Sequence, residues 1–283
     1  MKTISKLTPN IGATAIDRPL PVCGDDDVMI RVLATSICGT DVHIYDYNPW
    51  AQSRIKTPQI MGHELAGKVI QVGKNVSSPK LGDIVACETH IVCGTCEFCL
   101  RDQKHLCRNT QILGVDRDGA FAEFVVMPAV NCWISDPTVD PAYLCIQEPL
   151  GNAIHTVASG DVKGKTVAIV GVGPIGLMAV DVAKALGARW VVAVDVNDYR
   201  LNLAKEVGAD LSINAKDLDP VKTILDLTDQ YGVDVVCEMS GSPRALTSAF
   251  TYLKKGGRMS ILGLPDGPVS IDINNAIVFK GIT

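Results

Sequence analysis

The sequence has no long apolar segment and no run of basic residues. No apolar stretch approaches the ~18 residues that can cross a bilayer, and the opening segment MKTISKLTPNIG lacks the apolar core of an export signal. The net charge is −5, and the Lys and Arg residues are scattered, which leaves no electrostatic footprint for nucleic acid or an anionic membrane. We therefore expect a cytoplasmic protein that binds small molecules, with no nucleic-acid or membrane partner.

The sequence also lacks internal repeats and low-complexity segments, and its composition is that of a globular chain. It has 283 residues, 47% hydrophobic and 20% charged, which is enough for two domains with buried cores. The pattern changes near residue 150. Short alternating runs such as VMIRVLAT predict a β-rich domain over residues 1–150. Strands that alternate with helices predict an α/β domain with a parallel sheet over residues 151–283.

Ten cysteines need an explanation other than disulfides in a compartment that keeps thiols reduced. Within the loop 90–110, four of them follow the spacing C-x2-C-x2-C-x7-C, which can deliver four thiolates to a tetrahedral zinc ion; they are Cys93, Cys96, Cys99 and Cys107. An iron–sulfur cluster is the alternative, but the usual Cys-Pro ending is absent. A zinc ion with four cysteine ligands has no open position. This loop is therefore predicted to be structural, and the chemistry must lie elsewhere.

A glycine-rich turn opens the second domain. Gly171, Gly173 and Gly176 follow a predicted strand and begin a helix, and Asp195 ends the next strand, which is the context of a dinucleotide-binding turn. We expect Asp195 to accept hydrogen bonds from the adenosine ribose and to repel a 2′-phosphate, which favours NAD over NADP. Arg200 leaves NADP open, since it could pair with a 2′-phosphate or pack against the adenosine.

A dinucleotide domain needs a partner site that polarises an alcohol or carbonyl group. The segments SICGTDVH and MGHELAG supply Cys38, His63 and Glu64, and these are the S, N and O donors of a catalytic zinc ion with one open position. Glu148 would fill that position if it also bound, and it would make the centre anionic. We therefore predict that Glu148 lies nearby without binding zinc, where it can steer protons.

In this order, CGTDVH, GHELAG, the four-cysteine loop and GVGPIG resemble the zinc-dependent medium-chain dehydrogenase family over the whole chain. The resemblance implies a GroES-like β-barrel catalytic domain and a Rossmann doubly wound parallel sheet, with the active site in the cleft between them. It also implies two zinc ions and one NAD per chain. Segments such as SICGTDVHIYDYNPW and HLCRNTQILGV are similar to members that oxidise the C3 hydroxyl of L-threonine to 2-amino-3-oxobutanoate.

The resemblance also implies roles for individual residues. Thr40 would receive the substrate proton, and His43 would pass it to solvent through the cofactor ribose. His90 would lie near the substrate, although a plain loop histidine is an equal alternative. Glu64 and Glu148 could offer a negative charge to the substrate ammonium group. The adenosine half of the NAD site would lie near Ile175, Asp195, Arg200, Leu262, Gly263 and Leu264.

Two other functions share parts of this pattern. A polyol or 2,3-butanediol dehydrogenase would have the same zinc ligands, structural loop and NAD turn. A non-catalytic NAD-binding sensor would need only the turn, and the intact set Cys38, Thr40, His43 and His63 argues against it.

The resemblance further implies that the chain stops early. We expect the last strand to begin around residues 276–283, with Ile282 and Thr283 as its first residues, so that the Rossmann sheet is truncated at its C-terminus. Members of the family are commonly homotetramers. For this chain we expect both zinc sites to be intact, low or no activity, and altered oligomerisation.

Overall fold

A computed structural model describes residues 1–265 and 267–283. The chain forms two compact units, Met1–Glu148 and Pro149–Thr283. Helix α5 (Gln147–Ala158) begins in the last residues of the first unit.

The first unit is built mainly from antiparallel strands. Its five-stranded sheet has the order β10-β6-β5-β3-β9, a three-stranded sheet has the order β2-β1-β4, and β7 pairs with β8. The strands are β1 (Lys2–Lys6), β2 (Thr14–Asp17), β3 (Asp27–Ser36), β4 (Gln59–Ile60), β5 (Glu64–Val72), β6 (Ile84–Cys87), β7 (His90–Ile91), β8 (Gln111–Ile112), β9 (Phe124–Pro128) and β10 (Cys132–Ile134).

The long strands β3, β5 and β9 position the segments that matter for function. β3 pairs with β9 from Asp27↔Pro128 onward and with β5 as far as Ser36↔Glu64. Side chains such as Val28, Ile30 and Met127 are fully buried in the core beneath this sheet. Because the core fixes the register, the end of β3 is held directly beside the start of β5.

Helices in the first unit are short and lie in the connections between strands. They are α1 (Gly39–Asp46), α2 (Pro49–Arg54), α3 (Glu97–Leu100) and α4 (Pro141–Leu144), with 3₁₀ turns at Lys104–Leu106 and Ala129–Asn131. Helix α2 begins at an Asn48 cap whose side chain accepts a hydrogen bond from the Ala51 N–H, and it has Pro49 at its first position.

The second unit is a parallel sheet with intervening helices, as the sequence predicted. The strand order is β13-β12-β11-β14-β15, which is the order of a Rossmann fold with its switch point between β11 and β14. Its elements are β11 (Thr166–Val170), α6 (Pro174–Ala185), β12 (Trp190–Asp195), α7 (Asp198–Glu206), β13 (Leu211–Asn214), α8 (Pro220–Leu227), β14 (Val233–Glu238), α9 (Pro243–Tyr252) and β15 (Leu253–Ile261).

The central strand of this sheet is covered on both faces. All residues of β11, TVAIV, are buried, which is why the strand reads as a continuous apolar run and not as an alternation. One face packs on a core that includes Ile169, Ala179 and Val191, and the other on a core that includes Ala168, Val192 and Ile224.

Ile282 and Thr283, the predicted first residues of the last strand, are not assigned to a strand, and the segment before them is helical. Residues Asn274–Val278 form a π-helical turn, and the Asp272 side chain accepts hydrogen bonds from the backbone and side chain of Asn275 at its start. Only Thr283 bonds like a strand residue: it donates to Gly257 O at 3.1 Å and accepts from the Met259 N–H at 2.9 Å. Local capping thus outweighed the apolar β-branched pattern of the segment.

Within the described ranges, the helices are all too short or too polar to span a bilayer.

Candidate functional site

Three side chains of different donor type meet where β3 ends and β5 begins. Cys38 precedes α1, and His63 and Glu64 lie at the start of β5. One donor atom from each lies within 4.8 Å of the other two. The pairing of Ser36 with Glu64 across the sheet brings the two segments together. The structure therefore brings together the three residues predicted as ligands.

Burial sets the charge of these donors. His63 is 4% exposed, and burial lowers the pKa of its imidazole, so the ring is neutral, as a metal ligand must be. Burial raises the pKa of the Cys38 thiol to about 11, although hydrogen bonds from the Thr40 backbone and side chain oppose the shift. A thiolate at this position needs an adjacent cation. The donor set and its electrostatics therefore fit a zinc ion.

Asp41 and Ser36 support this cluster, and sequence reasoning did not find them. The Asp41 carboxylate is 2% exposed and accepts hydrogen bonds from the Cys38 N–H at 2.9 Å and the Gly62 N–H at 3.2 Å. It also lies 3.9 Å from His63 Nδ1, a buried atom without a hydrogen-bond partner. The Ser36 hydroxyl donates to Glu64 Oε2. The Asp in the segment CGTD, three residues after Cys38, was the available signal for Asp41.

Thr40 and His43 follow Cys38 on the first turns of α1. The Thr40 hydroxyl contacts the Cys38 sulfur. The His43 ring is exposed, its Nδ1 accepts from the Asn48 side-chain amide at 2.8 Å, and its edge faces Trp50 at 6.3 Å between ring centres. Thr40 and His43 thus lie on the same helix, directly after the candidate ligand Cys38. Their roles in proton transfer stay a prediction.

Glu148 and His90 lie near the cluster without belonging to it. Among the described residues, the group of donors within 4.8 Å consists of Cys38, His63 and Glu64. The charge of Glu148 acts on both Cys38 and His90. A hydrogen bond to Glu88 raises the pKa of His90 against the opposing effect of burial, with smaller contributions from the charges of Glu88 and Glu148. Glu88 was also missed at the sequence level.

The four cysteines of the loop 90–110 converge. Their sulfur atoms lie within 4.8 Å of one another, and α3 and a 3₁₀ turn carry the chain between them. Backbone N–H groups of Thr95 and Cys96 point at the Cys93 sulfur and lower the pKa of this thiol to about 5. Backbone hydrogen bonds also lower the pKa of Cys96. Converging thiols with donors aimed at their sulfurs fit a closed tetrathiolate zinc site.

The glycine-rich turn has the shape that a dinucleotide requires. A Cβ at Gly171, where φ is +85°, would lie 2.6 Å from the Ser240 Cα, and one at Gly176 would lie 2.0 Å from the Gly171 carbonyl oxygen. A Cβ at Gly173 would meet nothing within 4 Å. Gly173 caps α6, so open space lies in front of the helix N-terminus, where a pyrophosphate group fits.

Asp195 lies at the end of β12, as predicted, but its carboxylate also holds the turn together. Its oxygens accept hydrogen bonds from the N–H groups of Val172, Val196 and Asn197 at 2.7 to 3.0 Å. Asp195 is 8% exposed, and Oδ2, which has one of these bonds, can accept another. Arg200 is exposed on α7. Ile175 is half-buried in the first turn of α6.

The segment 262–264 is held against the end of β14. The Glu238 carbonyl oxygen accepts hydrogen bonds from the N–H groups of Leu262 and Gly263. A Cβ on Gly263 would lie 2.3 Å from the Gly241 nitrogen and 2.5 Å from Glu238 Oε2. Leu264 is 82% exposed. The glycine-rich turn and the segment 262–264 therefore both lie at the carboxyl end of the sheet, where open α/β folds bind their ligands.

The fold and the two donor clusters define an alcohol dehydrogenase that uses zinc and a nicotinamide dinucleotide. The chain belongs to the zinc-binding dehydrogenase family, whose profile matches residues 174–283, and residues 24–136 match the profile of the alcohol dehydrogenase GroES-like domain. This membership confirms the predicted GroES-like and Rossmann domains, the enzyme class, and zinc and nicotinamide dinucleotide as cofactors.

Two curated relatives and one crystal structure illustrate the similarity. The chain is 53% identical to an L-threonine 3-dehydrogenase of Caldanaerobacter subterraneus subsp. tengcongensis, over 100% of this chain and 82% of the relative. It is 52% identical to the enzyme of that name from Pyrococcus horikoshii, over 100% and 81%. It superposes on galactitol-1-phosphate dehydrogenase from Escherichia coli with a TM-score of 0.92 at 26% identity, over 100% of this chain and 82% of that structure.

Proposed function

We propose that this chain oxidises the C3 hydroxyl of L-threonine to 2-amino-3-oxobutanoate, with hydride transfer to NAD. The observation that carries this proposal is that the whole chain is 52–53% identical in sequence to L-threonine 3-dehydrogenases. The clustered Cys38, His63 and Glu64 donors support it, because this chemistry needs them.

In the proposed site, Cys38, His63 and Glu64 would hold the catalytic zinc ion, and the four cysteines of the loop 90–110 would hold the structural one. When bound, zinc supplies a Lewis acid for the substrate oxygen, and NAD supplies the hydride acceptor. The buried Asp41 carboxylate ties the Cys38 and Gly62 backbones together and so keeps the donors in place.

Protons leave through residues of α1. The Thr40 hydroxyl, which contacts the Cys38 sulfur, receives the proton of the C3 hydroxyl and passes it toward His43. The Asn48 amide donates to Nδ1 of His43, so Nε2 is the nitrogen that exchanges protons with solvent.

Substrate recognition uses the charges beside the cluster. L-threonine has an ammonium group next to the reacting carbinol, and Glu148 is the anionic side chain that faces it. His90, whose pKa is raised mainly by its hydrogen bond to Glu88, lies on the substrate side. The site thus offers a zwitterion an anionic carboxylate and an imidazole whose protonated form is favoured by Glu88.

The cofactor lies along the glycine-rich turn and the segment 262–264. The space in front of Gly173 would hold its pyrophosphate, Ile175 and Arg200 would lie beside the adenosine, and Asp195 Oδ2 would accept a hydrogen bond from the ribose. A carboxylate there repels a 2′-phosphate, so NAD is the proposed cofactor.

The remaining proposals concern the whole protein. We place the catalytic domain at residues 1–150 and the NAD domain at residues 151–283, in a cytoplasmic homo-oligomer, a tetramer where the assembly follows the family.

Measuring NAD reduction by the purified zinc-loaded chain with L-threonine, sorbitol and 2,3-butanediol tests the substrate. A kcat/KM that is highest for L-threonine is expected. The alternative is a polyol dehydrogenase, favoured by the structural similarity to galactitol-1-phosphate dehydrogenase. Greater activity on either diol would replace the present proposal with that one.

A further inference from the structure

One carboxylate oxygen accepts two hydrogen bonds from the same residue beside the candidate active site. Glu88 Oε1 accepts from the His90 backbone N–H at 2.8 Å and from His90 Nδ1 at 2.7 Å. The hydrogen bonds from His90 outweigh the effect of burial and lower the pKa of Glu88. Because an ionised carboxylate can only accept, the proton of the imidazole must be on Nδ1.

Asn131, in the 3₁₀ turn Ala129–Asn131, fixes the backbone of the Glu88–His90 pair. Asn131 is 5% exposed, and its side-chain amide donates to the carbonyl oxygens of Glu88 at 2.8 Å and His90 at 3.1 Å. The Glu88 N–H in turn donates to Asn131 O at 2.9 Å. An isolated exposed ion pair samples many geometries. Here, three hydrogen bonds with Asn131 hold the backbone that carries the Glu88 and His90 side chains.

The pair is accessible and lies beside the zinc ligands. The side chains of His90 and Glu88 are 40% and 46% exposed. The groups whose charges act on the imidazole are Glu88 and Glu148, which favour its protonated form. The charge of His90 in turn contributes to lowering the pKa of the nearby His63, whose ring is neutral. A substrate can therefore reach the ring, and the ring nitrogen that does not face Glu88 is Nε2.

We propose that Glu88 is a positioning residue, which fixes the His90 proton on Nδ1 and leaves Nε2 as the nitrogen presented to the substrate. The substrate half of this statement rests on the proposed function. Glu88 acts through the imidazole to which it is hydrogen-bonded. Glu88 and His90 are two residues apart. This spacing allows one Glu88 oxygen to accept hydrogen bonds from both the ring and the backbone N–H of His90.

The ring nitrogens can be observed directly, because the chain has only five histidines. In the zinc-loaded protein, nitrogen-15 correlation spectra of the imidazoles over a pH series report tautomer and titration together. In the unmodified chain, we expect the neutral form of His90 to have its proton on Nδ1.

Two substitutions separate the acceptor from its charge. Glu88→Gln keeps an oxygen that can accept both hydrogen bonds, so the Nδ1–H tautomer should persist while the midpoint of the His90 titration moves to lower pH. Glu88→Ala removes the acceptor, so the tautomers should mix and the midpoint should also fall. Glu123→Gln is the matched control, since Glu123 is an exposed carboxylate in the same unit that accepts the Lys2 N–H at 2.8 Å; it should change neither property.

Kinetics supply the second readout. Glu88→Ala should lower kcat/KM for L-threonine at pH 7 by about tenfold, the scale of one charge-assisted hydrogen bond. Most of the loss should be in KM, and Glu88→Gln should recover part of it. Zinc content should equal that of the unmodified chain in every variant, which excludes misfolding.

An unchanged His90 tautomer and titration midpoint in Glu88→Ala would overturn the proposal, whatever the kinetics. A higher kcat/KM for sorbitol or 2,3-butanediol than for L-threonine in the unmodified chain would instead overturn the proposed function. The spectra do not depend on that activity, so the two failures are distinguishable.

Discussion

Glu148 differs from the three clustered donors in that its charge reaches Cys38 and His90 while its oxygens lie outside the group. Glu148→Gln should therefore retain two zinc ions per chain and lose most of its turnover, because the metal keeps its ligands while an anionic group beside the substrate disappears. Zinc analysis alongside NAD reduction checks this expectation. Glu64→Gln is the comparison and should lose the catalytic zinc. A Glu148→Gln protein that had lost zinc would show Glu148 to be a ligand.

Asp195 has a structural task as well as its proposed cofactor role. Asp195→Ala should weaken NAD binding and reduce discrimination against NADP, since a ribose acceptor and a source of repulsion vanish together. It should also destabilise the turn by about 2–3 kcal/mol, because three N–H bonds to a carboxylate are lost. Titration of both cofactors well below the unfolding temperature separates the effects. Unchanged selectivity would leave Asp195 a purely structural residue.

Asp116 gives the first unit a specific dependence on acid. Its carboxylate bonds Arg54 through both oxygens at 2.9 and 2.7 Å and accepts the Ile112 N–H, and the bond to Arg54 lowers the pKa of Asp116. A lowered folded-state pKa stabilises the fold above the unfolded value of about 3.9, and this contribution is lost as pH falls through the folded value.

Asp116→Asn should consequently destabilise the chain at pH 7 by no more than about 1 kcal/mol, since the pair is partly exposed. The difference from the unmodified chain should shrink below about pH 4, where the unmodified Asp116 also becomes neutral. Urea unfolding at pH 7, 5 and 3 measures it. A difference that stayed constant across this range would mean that the carboxylate charge contributes nothing.

Single residues were predictable where their chemistry is distinctive, and not where their partners are supplied by the fold. Cys38, His63 and Glu64 could be proposed together because thiolate, imidazole and carboxylate are recognisable as metal donors. The supporting role of Asp41 was harder to predict from its place in CGTD, because one of its partners is the Gly62 N–H, and only the β3–β5 register brings this group within reach. The type of metal-donor side chain is evident from the sequence, whereas the backbone hydrogen-bond partners of a side chain depend on strand register.

At the scale of the element, the glycines of the cofactor edge are the sharpest constraint. Gly263→Ala would place a Cβ 2.3 Å from the Gly241 nitrogen and 2.5 Å from Glu238 Oε2, so the segment 262–264 must shift. We expect a loss of about 1–3 kcal/mol of stability and weaker NAD binding.

Gly151→Ala is the control for this substitution, because a Cβ there meets nothing within 4 Å inside helix α5. It should be neutral or stabilise the chain by up to about 1 kcal/mol. Thermal unfolding and cofactor titration of both variants make the comparison. Equal stability of the two would show that the segment 262–264 adapts without cost.

Whole elements were predictable where periodicity and capping agree. The run from β11 through α6 to β12 combines a buried strand, a glycine turn and an amphipathic helix, and each signal points the same way. In the segment 276–283 the two signals conflict. The apolar β-branched residues favour a strand, whereas Asp272 caps a helical turn. The Lys280 ammonium also donates to carbonyl oxygens at the end of α9. Side-chain to backbone bonds of this kind are invisible to periodicity.

For the molecule as a whole, the two metal clusters should affect different properties. Cys107→Ser should remove the structural zinc and lower the unfolding temperature by about 5 °C or more, since the loop 90–110 then loses its cross-link. Cys38→Ser should also leave one zinc per chain, but with a small change in unfolding temperature and no turnover. Metal analysis and calorimetry of both variants test this. Equal destabilisation would show that the catalytic zinc also supports the fold.

The pairing of β3 with β9 has a consequence for the order in which the chain folds. Asp27 and Pro128 are roughly 100 residues apart in sequence, so closing this pair carries a large entropic cost that only a nearly complete first unit can offset. In the second unit, β11 pairs with β12 over roughly 24 residues. During synthesis on the ribosome, the early strands should therefore wait, unpaired on one edge, until β9 has emerged, and this interval is when the nascent chain is most exposed to aggregation.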